Sequence, residues 1–256
     1  LEKWKKGKPN YHNFDVLKQF HRETVHLISN TSINTRDNVA EASGGEESLT
    51  DRESIPITNG LSENNEFERV LKNRRTSWAF KNSLDFDTLS RLLSIAFNVT
   101  EIKEFQATMV PLRAYPSAGA SYSISIYVYI NHVHPEMNEN IYKYDPDTQA
   151  LYKIKKSSTA TMNNLTSSTK YNVQDFSNAK MIFFLCSNFK KLFPRYGLLT
   201  YRLSLLEAGH MAHNLQLAST YLGLSSVPIG GFYDLEVNKA IPENEEYYCL
   251  YINAIG

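Results

Sequence analysis

Between Asp87 and Phe97 the residues Leu89, Leu92, Leu93 and Ala96 recur at three- and four-residue spacing, which predicts an amphipathic helix. Glu66 to Asn73 predicts a second, shorter one. From Leu198 to Leu222 apolar residues occupy most of the helical circumference. That segment is expected to be a long, central, buried helix, ended by Gly223. Period-two alternation from Ser123 to Ile130 predicts a strand, and Lys180 to Cys186 and Tyr247 to Ile255 predict two more, more fully buried. Tyr142–Tyr144 and Ala150–Ile154, joined through Asp145-Pro146-Asp147, predict a hairpin. Near the start, Phe14, Leu17, Phe20, Val25 and Leu27 give residues 12–29 a helical spacing that breaks near His21. Residues 30–64 hold too few large apolar groups to bury, so a mobile linker is expected there, and residues 156–172, rich in Ser, Thr and Asn, predict a flexible excursion. The chain thus divides into residues 1–64, a helical segment plus linker, and residues 65–256, one domain of α+β class with an antiparallel or mixed sheet around a buried helix.

Composition narrows the function classes. The 256 residues are 42% hydrophobic and 21% charged, the profile of a soluble globular protein. With 27 basic and 27 acidic side chains there is no global field to attract nucleic acid or an anionic membrane. No apolar run nears the ~18 residues that span a bilayer, and residues 1–20 lack a signal-peptide pattern, so a cytoplasmic protein is expected. Cys186 and Cys249 sit inside apolar runs and read as buried free thiols.

The common cofactor motifs are missing: no GxGxxG follows a strand, and there is no GxxxxGK[ST] and no CxxC pair. Glu207, His210 and His213 have a metal-ligand spacing without the second copy such bundle sites need, so a core or interface role is expected for them and no metal. Three segments are harder to explain by packing. Arg74-Arg75-Thr76-Ser77-Trp78-Ala79-Phe80 sets two guanidinium groups beside a hydroxyl, a phosphate-sized cluster or else a solvated basic turn. Pro116-Ser117-Ala118-Gly119-Ala120 is a run of small residues against which a flat ring can lie. Pro228-Ile229-Gly230-Gly231 places paired glycines just beyond the long helix.

Together these segments resemble the flavin-dependent nitroreductase superfamily. Arg74, Thr76 and Phe80 match its FMN-phosphate segment, with Arg75 alongside, and Trp78 stands where that segment has a second basic residue. Pro228, Ile229, Gly230 and Gly231 match the loop that meets the flavin ring at N5. Within the superfamily the likeness is to the azoline dehydrogenases of thiazole- and oxazole-modified peptide pathways. Their Pro-Ser-(Ala/Gly)-Gly-Ala signature is Pro116 to Ala120, and their Tyr-x-Tyr-x-Pro hairpin end is Tyr142 to Pro146. Their Tyr-Arg-x4-Glu-x-Gly helix is Tyr201 to Gly209, followed by His210 and Asn214. The likeness runs from about residue 66 to 256; before that, only Phe20-His21-Arg22-Glu23-Thr24 matches loosely.

The resemblance implies FMN as cofactor, with Arg74, Arg75, Thr76, Pro116, Ser117, Ala118, Gly119, Arg202, Asn214, Pro228, Ile229, Gly230 and Gly231 as its binding set. It implies oxidation of peptide azolines to azoles, dioxygen as final acceptor, a homodimer, and cyclodehydratase or scaffold partners. The family's catalytic Lys-Tyr pair reads Arg195-Tyr196 here. A guanidinium cannot act as a base at neutral pH but favours the ionised form of a neighbouring phenol, so Tyr196 is the candidate base and Arg195 its electrostatic helper. Two alternatives stay open: an NAD(P)H-dependent nitro- or quinone reductase on the same fold, and a silent flavin-binding subunit that scaffolds a peptide-modifying complex.

Overall fold

A computed structural model describes residues 11–23, 55, 60–62, 64–80, 84–105, 107–170, 174–241 and 247–256. In chain order they form α1 (Tyr11–Glu23), α2 (Glu66–Asn73), α3 (Phe86–Phe97), β1 (Val99–Phe105), β2 (Thr108–Arg113), β3 (Ile124–Ile130), β4 (Asn140–Asp145), β5 (Ala150–Lys156), α4 (Thr159–Asn163), α5 (Ser167–Lys170), β6 (Met181–Asn188), α6 (Phe189–Tyr196), α7 (Leu199–Tyr221), β7 (Ser226–Ile229), α8 (Asp234–Ala240) and β8 (Tyr247–Ile255). The expectation for residues 30–64 falls almost wholly outside the described residues.

Strand order in the main sheet is β5-β4-β3-β6-β8-β7, and every neighbouring pair is antiparallel. Both faces of the central strands are covered, which is why β6 reads as a continuous apolar run. One face packs Ile126, Val128, Phe183 and Leu185 against Leu89, Leu92 and Phe97 of α3 and Ala208, Met211 and Leu215 of α7. The other packs Tyr127, Tyr129, Ile182 and Phe184 against Phe176, Met162 of α4 and Val237 of α8. Each of these fully buried large side chains contributes roughly 1.5–3 kcal/mol. Cys186 and Cys249 are register partners on β6 and β8, both buried and not joined by a disulfide.

α7 departs from the expectation of burial all round. Its inner face is buried from Thr200 to Ser219, yet Leu199, Leu205, Leu206 and Tyr221 are exposed on the other side. The expected flexible excursion at 156–172 is also corrected for its described residues. Ser158 caps α4, Met162 and Leu165 are buried, and the Thr166 hydroxyl donates to the Gly231 carbonyl at 2.7 Å. There the small polar side chains bond the backbone rather than water. α1 lies on α6 through Leu17, Phe189 and Phe193, and His21, where the sequence pattern breaks, is buried beside Phe189, Tyr201 and Tyr248. Burial lowers the His21 pKa to about 4. β1 and β2 form a separate two-stranded ribbon whose last residue, Arg113, leads into the small-residue segment.

Candidate active site

The connection from β2 to β3 has an unusual backbone. Gly119, Ala120 and Tyr122 have φ of 57°, 50° and 43°. Glycine adopts this left-handed region freely, whereas Ala and Tyr pay about 1–2 kcal/mol each, so the surroundings must hold the turn. They hold Tyr122 at every polar group. Its N–H donates to Ser117 Oγ at 2.9 Å and its carbonyl accepts from Lys191 Nζ at 2.8 Å. Its hydroxyl accepts from the Arg113 N–H at 2.9 Å, and the Arg113 guanidinium lies 4.4 Å over its ring.

Beneath this turn is Glu207 of α7, only 1% exposed. Its Oε2 accepts from Ser117 Oγ at 2.8 Å and Ser123 Oγ at 3.1 Å, and its Oε1 from the Ile124 N–H at 3.3 Å. A buried carboxylate is tolerated where donors surround it in this way. Arg113 continues the network, donating to the Tyr115 hydroxyl at 3.0 Å and to Asp147 at 2.8 Å. Burial pushes the Tyr115 hydroxyl well above the phenol range, more than Arg113 draws it back, so Tyr115 stays protonated and is no base at neutral pH.

α6 and α7 meet at Gly197, whose φ of 55° and ψ of −137° are open to glycine alone. The turn brings Arg195 and Tyr196 against Gly119. A Cβ on Gly119 would lie 2.5 Å from Arg195 Nη1 and 2.6 Å from Tyr196 Oη, so a side chain there would have to displace both ends, on a backbone already in the left-handed region. Those two atoms are therefore no more than about 5 Å apart, the sum of the two distances. The Arg195 guanidinium sits 5.2 Å from the centre of the Tyr196 ring and has no acidic partner among the described residues.

A second group of candidate residues lies further along α7. Arg74 Nη1 donates to Gln216 Oε1 at 3.2 Å. Thr76 bridges to Ser226 at the start of β7, and that strand runs to Gly230 and Gly231, both exposed. Arg75 is used otherwise: its Nη1 donates to the carbonyls of Lys72 and Arg74 at the end of α2. Trp78 stacks on Phe176, with ring centroids 5.7 Å apart, so the residue in the second basic position is half-buried against the core. Asn214 donates to the Ala96 carbonyl at 3.2 Å and ties α7 to α3.

Within one chain, then, Pro116 to Gly119 meet Arg195 and Tyr196, while Arg74 and Thr76 share the other region with Pro228 to Gly231. Arg202 joins neither. It is exposed near the start of α7, where it lines an apolar groove of about 600 Å³ with Val16, Phe20, Leu198 and Leu205. Sequence reasoning did not single out the roles of Glu207, Lys191, Tyr122 or Gln216. For Glu207 a signal existed, because its motif and that of Ser117 each hold one half of the hydrogen bond. His210 and His213 are exposed, and among the described residues no three His, Cys, Asp or Glu side chains gather as metal ligands.

Comparison with known proteins agrees with this architecture. The model of the nitroreductase family matches residues 71–256. A predicted nitroreductase of Methanocaldococcus jannaschii, MJ1384, is 30% identical over 190 residues, covering 74% of this chain and 89% of that protein. The microcin B17-processing protein McbC of Escherichia coli is 26% identical over 184 residues, 71% of this chain and 65% of that one. A chain of the E. coli microcin synthetase McbBCD complex, solved with truncated pro-MccB17 bound, superposes with a TM-score of 0.72 at 21% identity, over 96% of this chain and 93% of that chain.

Proposed function

The chain belongs to the nitroreductase family, and from that premise we propose that it is an FMN-dependent dehydrogenase oxidising peptide thiazolines or oxazolines to thiazoles or oxazoles. Family membership makes it an oxidoreductase; the substrate is the proposal. The observation that carries it is the closure of Gly119 on Arg195 and Tyr196, with Ser117 on Glu207. Three segments that resemble those of azoline dehydrogenases, with Arg195 in place of their Lys, meet there in one cluster. The 26% likeness to a microcin-processing protein supports the same reading.

The residues fit FMN. Arg74 holds one neutral partner and no acid among the described residues, which suits it to a phosphate. Bound FMN would supply the two-electron acceptor. This chain's own task is the proton. In its ionised form Tyr196 Oη takes it from the carbon alpha to the peptide carbonyl and becomes the neutral phenol, and Arg195 offsets the charge of the phenolate before the transfer. Tyr122, Lys191 and Glu207 keep the turn against that pair.

Glu207 and Gln216 are nine residues apart on α7, about 13 Å along its axis, so one chain does not bring its two candidate regions together. A homodimer pairing the exposed apolar faces of two antiparallel α7 helices would set one region of each chain beside the other region of its partner. Light scattering should then give twice the chain mass; a stable, flavin-saturated monomer contradicts the pairing. Cyclodehydratase or scaffold proteins of the same pathway belong to this proposal as partners.

The test is an absorbance spectrum of the purified protein, then mass spectrometry of an azoline peptide after incubation. A yellow protein that removes two hydrogens per ring supports the proposal, and a flavin-loaded protein that leaves the ring intact refutes it. The likeness to MJ1384 favours a second reading, an NAD(P)H-dependent nitro- or quinone reductase, for which NAD(P)H should bleach the flavin.

A further inference from the structure

The geometry points to Lys191 as a positioning residue of this site: its amine grips the Tyr122 carbonyl and through it holds the left-handed turn against Arg195 and Tyr196. This rests on the function proposed above.

Lys191 and Arg195 are four residues apart on α6 and so share one face of it. Both reach the same short turn. Arg195 Nη1 lies at Gly119, and Lys191 Nζ donates to the Tyr122 carbonyl at 2.8 Å. Between those two points the chain is tightly closed, with the Ser121 N–H donating to the Ala118 carbonyl at 3.2 Å. The other bonds of Tyr122 come from its own segment, Ser117 and Arg113; beside it, Ser117 Oγ donates to Glu207 of α7 and the Asn188 N–H at the start of α6 donates to the Ser123 carbonyl at 3.4 Å. The Lys191 bond ties that turn to the helix carrying Arg195 and Tyr196. Without it, the left-handed Tyr122 backbone, at a φ of 43°, has less to keep it in place.

Lys191 is exposed as a residue, while its amine end is partly desolvated by its neighbours. The charged and titratable groups around it are Glu207 of α7, Arg113 of β2, Asp147 of the β4–β5 turn, Tyr115 and Tyr122 of the connection, and Arg195 and Tyr196 of its own helix. Burial, helped by Arg113, lowers the Lys191 pKa more than Glu207 and Asp147 raise it. The ammonium is therefore lost at lower pH than an ordinary lysine's, and the grip should slacken on that alkaline side.

The experiment compares wild type, Lys191→Met and Lys191→Arg in the full chain loaded with FMN. It measures azole formation against pH, flavin retention, and hydrogen exchange of residues 118–124 at neutral pH. Lys191→Met should lose about tenfold or more in rate, the size of one charge-assisted bond, and should keep FMN while residues 118–124 exchange about tenfold faster. Lys191→Arg, a permanent cation, should restore both protection and rate and remove the alkaline fall seen in wild type. Wild-type exchange in Lys191→Met overturns the inference, as does an alkaline fall unchanged in Lys191→Arg. If no variant and no wild type forms an azole, the proposed function fails, and exchange alone decides the role of Lys191.

Discussion

At the N-terminal half of α7, Glu207 takes three hydrogen bonds from two segments of the β2–β3 connection, and Tyr122 above it is held at its N–H, carbonyl, hydroxyl and ring. Nine residues on, Gln216 meets the Arg74 guanidinium through one bond of 3.2 Å, and beyond it Thr76, Gly230 and Gly231 are exposed. The first region stores strain and surrounds it with hydrogen bonds, so the chain alone sets its geometry. The second keeps most of its guanidinium donors unspent, the state in which an anion gains most from binding. A rigid half suits proton transfer, where a misplacement of ~1 Å is costly, and an open half suits a cofactor that must enter.

The contrast breaks most readily at Glu207. Glu207→Ala leaves two hydroxyls and an amide buried without their acceptor, and about 3–5 kcal/mol should be lost, near 10 °C in melting temperature. A variant that melts with wild type would mean that the first region is no more rigid than the second.

His21 sharpens the comparison from outside, because α1 is fastened beside the start of α7. Its pKa in the fold is about 4, below its ordinary 6.5. Above pH 6.5 the ring is neutral both folded and unfolded, and full stability is present. As pH falls from 6.5 to 4 the unfolded chain takes a proton that the fold refuses, and stability drops by about 2–3 kcal/mol, levelling off below. His21→Phe should remove that part of the acid sensitivity. Parallel denaturant midpoints for the two proteins across this window would contradict the burial argument.

At the open end the effect should fall on ligand and not on fold. Arg74→Ala is expected to weaken FMN binding roughly ten- to a hundredfold, from about 1.5–3 kcal/mol, with the melting temperature of flavin-free protein scarcely changed. Unchanged flavin retention through gel filtration and dialysis removes Arg74 from the cradle.

These differences also explain what the sequence makes legible. Burial writes a period into a chain, so α3, β3, β6, β8 and the β4–β5 hairpin could be read from apolar spacing. β1 and β2 could not, because a ribbon exposed on both faces imposes no alternation: Ile102, Phe105 and Met109 sit in solvent among Glu101, Lys103 and Glu104. α7 was legible as a central helix with a buried face; its exposed outer leucines look the same in sequence whether a partner covers them or not. The motifs around Ser117 and Gly119 were legible through resemblance. The reasons behind them, a carboxylate 90 positions away and a guanidinium that a Cβ would have to displace, exist only once the chain has folded.

The most direct test of the account is the rate of azole formation by Tyr196→Phe, with FMN content matched to wild type and Arg195→Lys assayed beside it. The phenyl ring keeps the packing against Gly119 and removes only the hydroxyl, so the account predicts lost turnover with the flavin still bound, while Arg195→Lys keeps or raises the rate. Azole formation by Tyr196→Phe at the wild-type rate would contradict it. An inert wild type awakened by Arg195→Lys would mark the natural chain as a silent flavin subunit.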